Sequence, residues 1–142
     1  RRFIMATLKL TILSPERRLL ESADADEVTL NGSEGQIQIL PGHAPMVGTL
    51  ETGVFRYKAP GGSESVGLIS AGFFEVKDDA VSVLAETLEL RTEIDVSRAQ
   101  RAQKGAEDAL RDASLDEHSF RKYQLKLERA IIRQQLAEKG ID

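Results

Sequence analysis

The sequence has 142 residues, of which 41% are hydrophobic and 30% charged, and its formal net charge is −4. This length allows one moderate domain, or a small domain with an appendage. The composition is that of an ordinary folded protein, and the acidic balance argues against nucleic-acid binding as the main function. The absence of cysteine excludes disulfides, thiolate catalysis and a cysteine-based zinc site. No apolar segment approaches the roughly 20 residues of a membrane span, so any membrane association is expected to be indirect, through partners.

The first part of the chain alternates apolar and polar side chains, which is typical of half-buried strands. A first strand is predicted at residues 7–12, so we expect Met5 to be the natural start and residues 1–4 not to belong to the protein. Later strands are predicted around residues 19–20, 28–30, 37–39, 46–50, 54–58, 66–69, 73–76 and 81–85. Turns are expected at Asn31-Gly32, Thr52-Gly53, residues 59–62 and Asp78-Asp79. About ten short strands at this spacing indicate an all-β sandwich.

The composition changes near residues 86–91, because nearly all glycines and all four prolines lie before Phe73. We therefore predict a β domain at residues 5–88 and an antiparallel helical hairpin at residues 89–142. Thr92 or Asp95 is expected to cap the first helix. A seam of small residues is predicted along that helix, at Ala99, Ala102, Ala106, Ala109 and Ala113. The second helix is expected to present Phe120, Tyr123, Leu127, Ala130 and Ala137 on one face and to stop at Gly140.

The hairpin is predicted to be only marginally stable. An alanine seam buries little apolar area, at about 25 cal/mol per Å², and Gly105 in the middle of the first helix costs about 1 kcal/mol relative to alanine. Such a helix pair on a rigid β domain is suited to changing position. The alternative is that the pair simply packs on the sandwich.

The most specific stretch is GSEGQIQILPGHAP, residues 32–45. Gly32 and Gly35 flank a predicted tight turn with positive φ, and Pro41-Gly42 ends the strand that follows. This string closely resembles the signature of the epsilon subunit of F-type ATP synthases, whose mitochondrial counterpart is called delta. The resemblance extends over about residues 7–140.

The resemblance implies a non-catalytic central-stalk (rotor) subunit of the proton-translocating F-type ATP synthase. In that family the β-sandwich couples the gamma subunit to the ring of c subunits. A mobile C-terminal hairpin inhibits ATP hydrolysis by contacting the alpha/beta catalytic hexamer. The implied location is peripheral, on the cytoplasmic face of the bacterial plasma membrane.

The sequence carries no enzyme constellation: it has no Walker-type phosphate loop and no G-x-G-x-x-G. His43 and His118 lie far apart without metal-ligand spacing, so we expect no catalytic residue, no metal site and no required cofactor. His43 is expected to have a structural role or to lie at an interface, and His118 is expected to be exposed to solvent. Loop residues are candidates for binding partners, at Glu34, His43, Met46 and the turn at residues 51–53.

A regulatory nucleotide site is implied by the resemblance. Residues 94–99, Ile-Asp-Val-Ser-Arg-Ala, closely match the motif with which some bacterial epsilon subunits bind ATP. The family's site carries over to Glu89, Asp95, Arg98, Ala99, Arg129 and Arg133. Where the best ATP binders have a further arginine this chain has Gly105, so ATP is expected to be a weak regulatory ligand.

Basic residues recur on the second helix at Lys122, Lys126, Arg129 and Arg133. We call these four residues the basic stripe; its arginines could converge on phosphate oxygens. It could equally contact an acidic surface of the alpha/beta hexamer, or pair with Glu107, Asp108 and Asp112 across the hairpin. The alternative function is a free-standing nucleotide-sensing module that combines a β-sandwich with a helical hairpin.

Overall fold

The computed structural model describes residues 6–138, in two compact units whose boundary falls between Leu88 and Glu89. The first unit contains β1 (Leu8–Ser14), β2 (Arg17–Ala25), β3 (Glu27–Gly32), β4 (Gly35–Ile39), β5 (Met46–Lys58), β6 (Glu64–Lys77) and β7 (Ala80–Ala85). The short strand β8 (Leu88–Leu90) starts at the boundary, and a 3-10 turn (Arg91–Glu93), α1 (Val96–Leu110) and α2 (Glu117–Glu138) follow. The predicted order of an all-β sandwich and then two helices is confirmed. Met5 and Gly140 lie outside the described residues.

The strands form one continuous hydrogen-bonded path in the order β2-β1-β7-β6-β5-β3-β4, and β8 pairs with β6 off this path. Neighbouring strands along the path are antiparallel except β1 and β7, which run parallel from Lys9 opposite Ala80 to Leu13 opposite Leu84. The first strand of the unit therefore lies beside its seventh.

The core of the β unit follows the alternation that the sequence predicts. Leu8, Leu10 and Ile12 on β1 are completely buried, whereas Lys9 between them is exposed. Val81 and Val83 on the neighbouring β7 are also completely buried. These residues share one face because side chains on a strand point alternately to opposite sides.

Residues 6–138 form eight strands where about ten were predicted, because β5 and β6 each run through a point at which the sequence suggests a break. The expected turn at Thr52-Gly53 is wrong: β5 passes straight through it while paired with β6. Against β3 the same segment is irregular, and the Nδ2 of Asn31 donates to the carbonyl of Thr52 at 3.2 Å. A Cβ on Gly53 would lie 2.4 Å from that nitrogen. Glycine is required here for close approach, and not for a turn.

Ala71 adopts an unusual backbone conformation within β6, with a φ of 120°. An L residue at this φ is strained by about 1–3 kcal/mol, whereas glycine adopts it freely.

We expect Ala71→Gly to raise the free energy of unfolding of the β unit by about 1 kcal/mol, since relief of strain exceeds the added entropy of the unfolded chain. Urea denaturation measures the change. Ala80→Gly is the control, because Ala80 is an exposed strand residue without a positive φ; it should lose about 0.5–1 kcal/mol. Equal destabilisation by both variants would contradict strain at Ala71.

Candidate functional site

The hairpin begins with a capped helix. Asp95 precedes α1, and its Oδ1 accepts the backbone N–H of Arg98 at 3.0 Å. This bond satisfies one of the four N–H groups that a helix start leaves without a partner. Of the two caps expected, Asp95 caps α1, whereas Thr92 lies within the preceding 3-10 turn.

The two helices pack on each other, and small residues occupy part of their buried surface. Ala99 and Ala106 on α1 are buried, and Ala130 on α2 is completely buried. The predicted seam is too long, because Ala102 is exposed and Ala113 lies beyond the end of α1. The buried side of α1 is centred on Ala99 and Ala106, and Ala102 lies to one side of it.

The face predicted on α2 is also only partly buried. Tyr123 and Leu127 are half-buried and lead to the buried Ala130, but Phe120 remains 43% exposed. Leu136 is buried and was not among the expected residues. The contact between the helices is therefore lean in large apolar side chains.

A hydrogen bond between two glutamines crosses the hairpin. The Nε2 of Gln134 donates to the Oε1 of Gln103 at 2.6 Å and to the carbonyl of Ala130 at 3.1 Å. Both glutamines are half-buried. Sliding one helix along the other would leave these groups partly unpaired, so the bond favours a single register. The sequence reasoning missed this contact.

Two aspartates organise the connector between the helices. Asp112 Oδ1 accepts the hydroxyl of Ser114 at 2.6 Å and its backbone N–H at 2.9 Å, and these bonds lower the pKa of Asp112. Asp116 Oδ1 accepts the backbone N–H of Ser119 at 2.7 Å, which is the main cause of the lowered pKa of Asp116. His118 adds a smaller electrostatic contribution. Both carboxylates therefore act in their charged form.

Two of the six residues implied for the nucleotide site are in direct contact. Arg133 on α2 donates its Nε–H to the Oε1 of Glu89 at 2.5 Å. Their side chains are 28% and 30% exposed, respectively. The contact joins the start of the second unit to the last turns of α2, across a sequence separation of 44 residues.

The other four residues lie on the two helices. The N-cap bond links Asp95 to the backbone N–H of Arg98. The side chain of Arg98 takes no part in this bond and Arg98 is exposed. Ala99 is buried at the next position of α1. Arg129 is half-buried, and it lies one helical turn before Arg133 on α2.

The basic stripe is divided between different surroundings. The Nζ atoms of Lys122 and Lys126 lie 5.7 and 5.5 Å from the ring centroid of Tyr123, within the range of cation–π attraction. The three acidic residues that were expected to pair with the basic stripe instead bond to residues close to them in sequence. Glu107 accepts from Gln103 of its own helix, Asp108 pairs with Arg111, and Asp112 binds Ser114.

The β unit exposes an apolar face that the sequence reasoning missed. Val47 on β5, Phe73 on β6 and Leu84 on β7 are 73%, 63% and 51% exposed. Phe73 lies opposite both Leu84 and Thr49, and Thr49 is two residues from Val47, so these side chains share one face. We call Val47, Phe73 and Leu84 the apolar face. The adjacent pair Phe73-Phe74 was the available signal, because consecutive strand residues point to opposite sides.

Open depressions flank the apolar face. One of about 620 Å³ adjoins Phe73 and Leu84 and is also lined by Leu13, Pro15 and Leu50. A second, of about 400 Å³, extends along Val47. This side of the sheet can therefore receive protruding apolar side chains.

The predicted loop residues form a separate surface. Glu34 lies exposed in the turn before Gly35, whose φ of 125° agrees with the expected positive value. The N–H of Gly42 donates to Asp79 Oδ1 at 2.7 Å, which ties this loop to the β6–β7 turn. His43 Nδ1 lies 2.7 Å from the carbonyl of Ala44. Met46 begins β5 and is exposed.

Residues 51–53, expected as a loop contact, instead lie within β5; Glu51 is exposed, whereas Thr52 and Gly53 are buried. In the part of the chain that the structure describes, no cluster of three or more histidine, cysteine, aspartate or glutamate residues could hold a metal ion. None of the helices within residues 6–138 has the length and apolar character needed to span a membrane.

Comparison with known structures supports the same architecture. The chain matches a chain in the cryo-EM structure of the Euglena gracilis mitochondrial ATP synthase (OSCP/F1/c-ring, rotational state 1) with a TM-score of 0.80 at 24% identity, covering 99% of this chain and 85% of the other. A match to the central stalk/c-ring structure of the Tetrahymena thermophila mitochondrial ATP synthase has a TM-score of 0.63 at 20% identity, covering 95% and 96%. At these identities the likeness concerns the fold.

Sequence comparisons are more specific. The ATP synthase epsilon chain of Geotalea uraniireducens (strain Rf4) is 44% identical over 133 residues, covering 94% of this chain and 95% of that protein. The epsilon chain of Symbiobacterium thermophilum is 42% identical over 129 residues, covering 91% of each. Residues 7–91 match the family described as "ATP synthase, Delta/Epsilon chain, beta-sandwich domain", and residues 92–138 match its "long alpha-helix domain". The chain therefore belongs to the ATP synthase delta/epsilon family, as an epsilon subunit of the F-type enzyme.

Proposed function

We propose that the chain is a non-catalytic part of the rotor, and that its β unit couples the gamma subunit to the ring of c subunits. The observation that carries this proposal is the apolar face. Contiguous apolar surface of this kind on a folded domain marks an interaction site, because leaving it in water is unfavourable. We assign it to gamma.

The second surface of the β unit is assigned to the c-ring. It comprises Glu34, His43 and Met46, together with the exposed Leu40. Hydrogen bonds from backbone N–H groups hold these loops, since Ser33 donates to the carbonyl of Thr49 and Gly42 donates to the Asp79 carboxylate. A surface that transmits torque has to be rigid, and anchored loops meet this requirement. The complex would hold the chain at the cytoplasmic face of the bacterial plasma membrane, as a peripheral subunit.

The hairpin is proposed to inhibit ATP hydrolysis by contacting the alpha/beta hexamer. Its marginal stability supports a change of position, because the helices share few large apolar side chains and α1 contains Gly105. Lys122 and Lys126 are exposed on the same side of α2 and offer a basic surface for an acidic partner.

ATP is proposed as a weak regulatory ligand of the hairpin, held by Glu89, Asp95, Arg98, Ala99, Arg129 and Arg133. Arginines one turn apart suit phosphate oxygens, because each guanidinium presents several donors in a planar fork. A Cβ at Gly105 would meet no atom within 4 Å, so a longer side chain fits there.

We expect Gly105→Arg to tighten ATP binding about tenfold or more, since a charge-assisted hydrogen bond contributes roughly 1.5–3 kcal/mol. Arg133→Ala should abolish binding. Calorimetric titration of the full chain with ATP measures both. Gly105→Ala is the control, because it improves the helix without adding a cation; a gain equal to that of arginine would show that helix stability alone controls affinity.

The competing function is the free-standing nucleotide-sensing module. Detergent extraction of native membranes followed by affinity capture of the tagged chain separates the two. Recovery of gamma, c, alpha and beta subunits in fixed ratio supports the rotor function. Recovery of the chain alone would contradict it.

A further inference from the structure

The turn between β6 and β7 contains two aspartates in a backbone conformation that glycine adopts more readily. Lys77 pairs with Ala80, so Asp78 and Asp79 are the two central residues of a hairpin turn. Their φ values are 50° and 60°. A two-residue turn with both values positive strongly prefers glycine at its second position, as in Asp-Gly or Asn-Gly. Asp79 therefore occupies a position where glycine would be less strained.

Asp79 connects this turn to two other segments of the β unit. Its backbone carbonyl accepts the N–H of Lys9 on β1 at 2.8 Å, and its Oδ1 accepts the N–H of Gly42 at 2.7 Å. Any residue could supply the carbonyl, whereas glycine at position 79 would lack the carboxylate. The bond to Gly42 therefore gives a physical reason for an aspartate at a position that favours glycine.

The bond from Gly42 to Asp79 anchors the loop that joins β4 to β5. Within the described part of the chain, the other hydrogen bonds of residues 41–45 are local. The N–H of His43 donates to the carbonyl of Leu40 at 3.1 Å, and His43 Nδ1 lies 2.7 Å from the carbonyl of Ala44. These local bonds shape the loop, but they do not tie it to another segment. Only the carboxylate of Asp79 does so.

We propose that Asp79 is a positioning residue for the surface that Leu40, His43 and Met46 present to the ring of c subunits. This inference rests on the proposed assignment of that surface. The carboxylate holds the loop in one arrangement before binding, so that little conformational entropy is lost when the ring is bound. Without the bond the loop would sample several arrangements, and only the competent fraction could bind the ring.

Replacing Asp79 by glycine tests the proposal, because this variant suits the turn and removes the group that binds Gly42. We expect the backbone order parameters of residues 42–44, measured by NMR relaxation on the full-length chain, to fall from about 0.85 towards about 0.6. Affinity for purified, detergent-solubilised rings of c subunits should fall about five- to tenfold, as for a loop that is competent about one-fifth to one-tenth of the time. Affinity for gamma should not change, since the apolar face is unaltered.

Two matched variants separate the bond from general effects of the turn. Asp79→Asn retains an oxygen acceptor and tolerates a positive φ, so it should keep the loop ordered and the ring affinity within about twofold. Asp78→Gly makes the same replacement at the neighbouring exposed residue, which takes no part in the contact with Gly42; it should behave as the unaltered chain does. Equal losses in Asp78→Gly and Asp79→Gly would show that the turn, and not the carboxylate, controls ring binding.

The outcomes distinguish this proposal from the assignment on which it rests. Unchanged order parameters in Asp79→Gly would overturn the proposal, and so would a disordered loop with undiminished ring affinity; either leaves the c-ring assignment standing. Leu40→Ser tests that assignment, because the Leu40 side chain is exposed while its carbonyl, which accepts from His43, is retained. It should weaken ring binding and keep the loop ordered. Full ring affinity in Leu40→Ser, or no ring binding by the unaltered chain, would overturn the assignment and this inference with it.

Discussion

Replacing Phe73 and Leu84 together by serine is expected to abolish stable association with the gamma subunit and to leave the β unit folded. Both side chains are more than half exposed, so their removal creates no cavity in the core. At an interface each would bury the remaining exposed part of its apolar area, which contributes roughly 1–2 kcal/mol. Loss of both should weaken the complex by about 2–4 kcal/mol, which is roughly thirty- to several-hundredfold in Kd.

Calorimetric titration of gamma into the purified chain measures this effect, and urea denaturation of the variant verifies that the fold persists. Phe120→Ser is the matched control, because it removes an exposed phenyl group from the hairpin; it should bind gamma normally. Retention of affinity within a few-fold by the Phe73→Ser/Leu84→Ser variant would show that gamma binds elsewhere.

Ending the chain at Leu90 is expected to raise ATP hydrolysis by the assembled complex severalfold and to leave ATP synthesis largely intact. The truncated chain keeps β1 to β8, and with them the apolar face and the loop surface. It loses both helices, which we propose to oppose rotation in the hydrolysis direction. Initial rates of hydrolysis and of proton-driven synthesis in reconstituted vesicles measure the two activities.

A Lys122→Gln/Lys126→Gln variant with the hairpin intact identifies the contact. It should raise hydrolysis part of the way, because the helices remain while two cations that would face the hexamer are lost. Unchanged hydrolysis after truncation would refute inhibition by the hairpin. An insoluble truncated chain would instead show that the helices are needed by the β fold.

Local sequence patterns predicted the strands and helix starts well where these depend only on residues close together in the chain. The alternation of Leu8, Leu10 and Ile12 indicated a strand with one buried face, and Asp95 was one of the two caps expected at the start of α1. The turn predicted at Thr52-Gly53 was wrong, because the same dipeptide suits a turn and also a strand position that a neighbouring side chain approaches closely. Only the position of Asn31 on the neighbouring strand distinguishes the two.

Features that depend on which elements are neighbours could not be read from local patterns. Val47, Phe73 and Leu84 are scattered over 38 positions, and they form one face only because β5, β6 and β7 pair in a particular register. The Gln103–Gln134 bond likewise depends on the register of the hairpin. The six residues of the proposed ATP site come from a family resemblance, and what the structure adds is the direct contact of Glu89 with Arg133.

The parallel pairing of β1 with β7 also dictates an order of events at the ribosome. β1 can pair with its second neighbour, β7, only after β7 has been synthesised, because Lys9 lies opposite Ala80, about seventy residues later. Pairings this distant in sequence slow folding. Until then β1 can pair only with β2, which follows it directly. Once Ala85 has emerged, every strand of the continuous path is available, while α1 and α2 are still being made. The β unit can thus close before both helices have emerged, and a nascent subunit can first acquire the surface that we propose to bind the rotor.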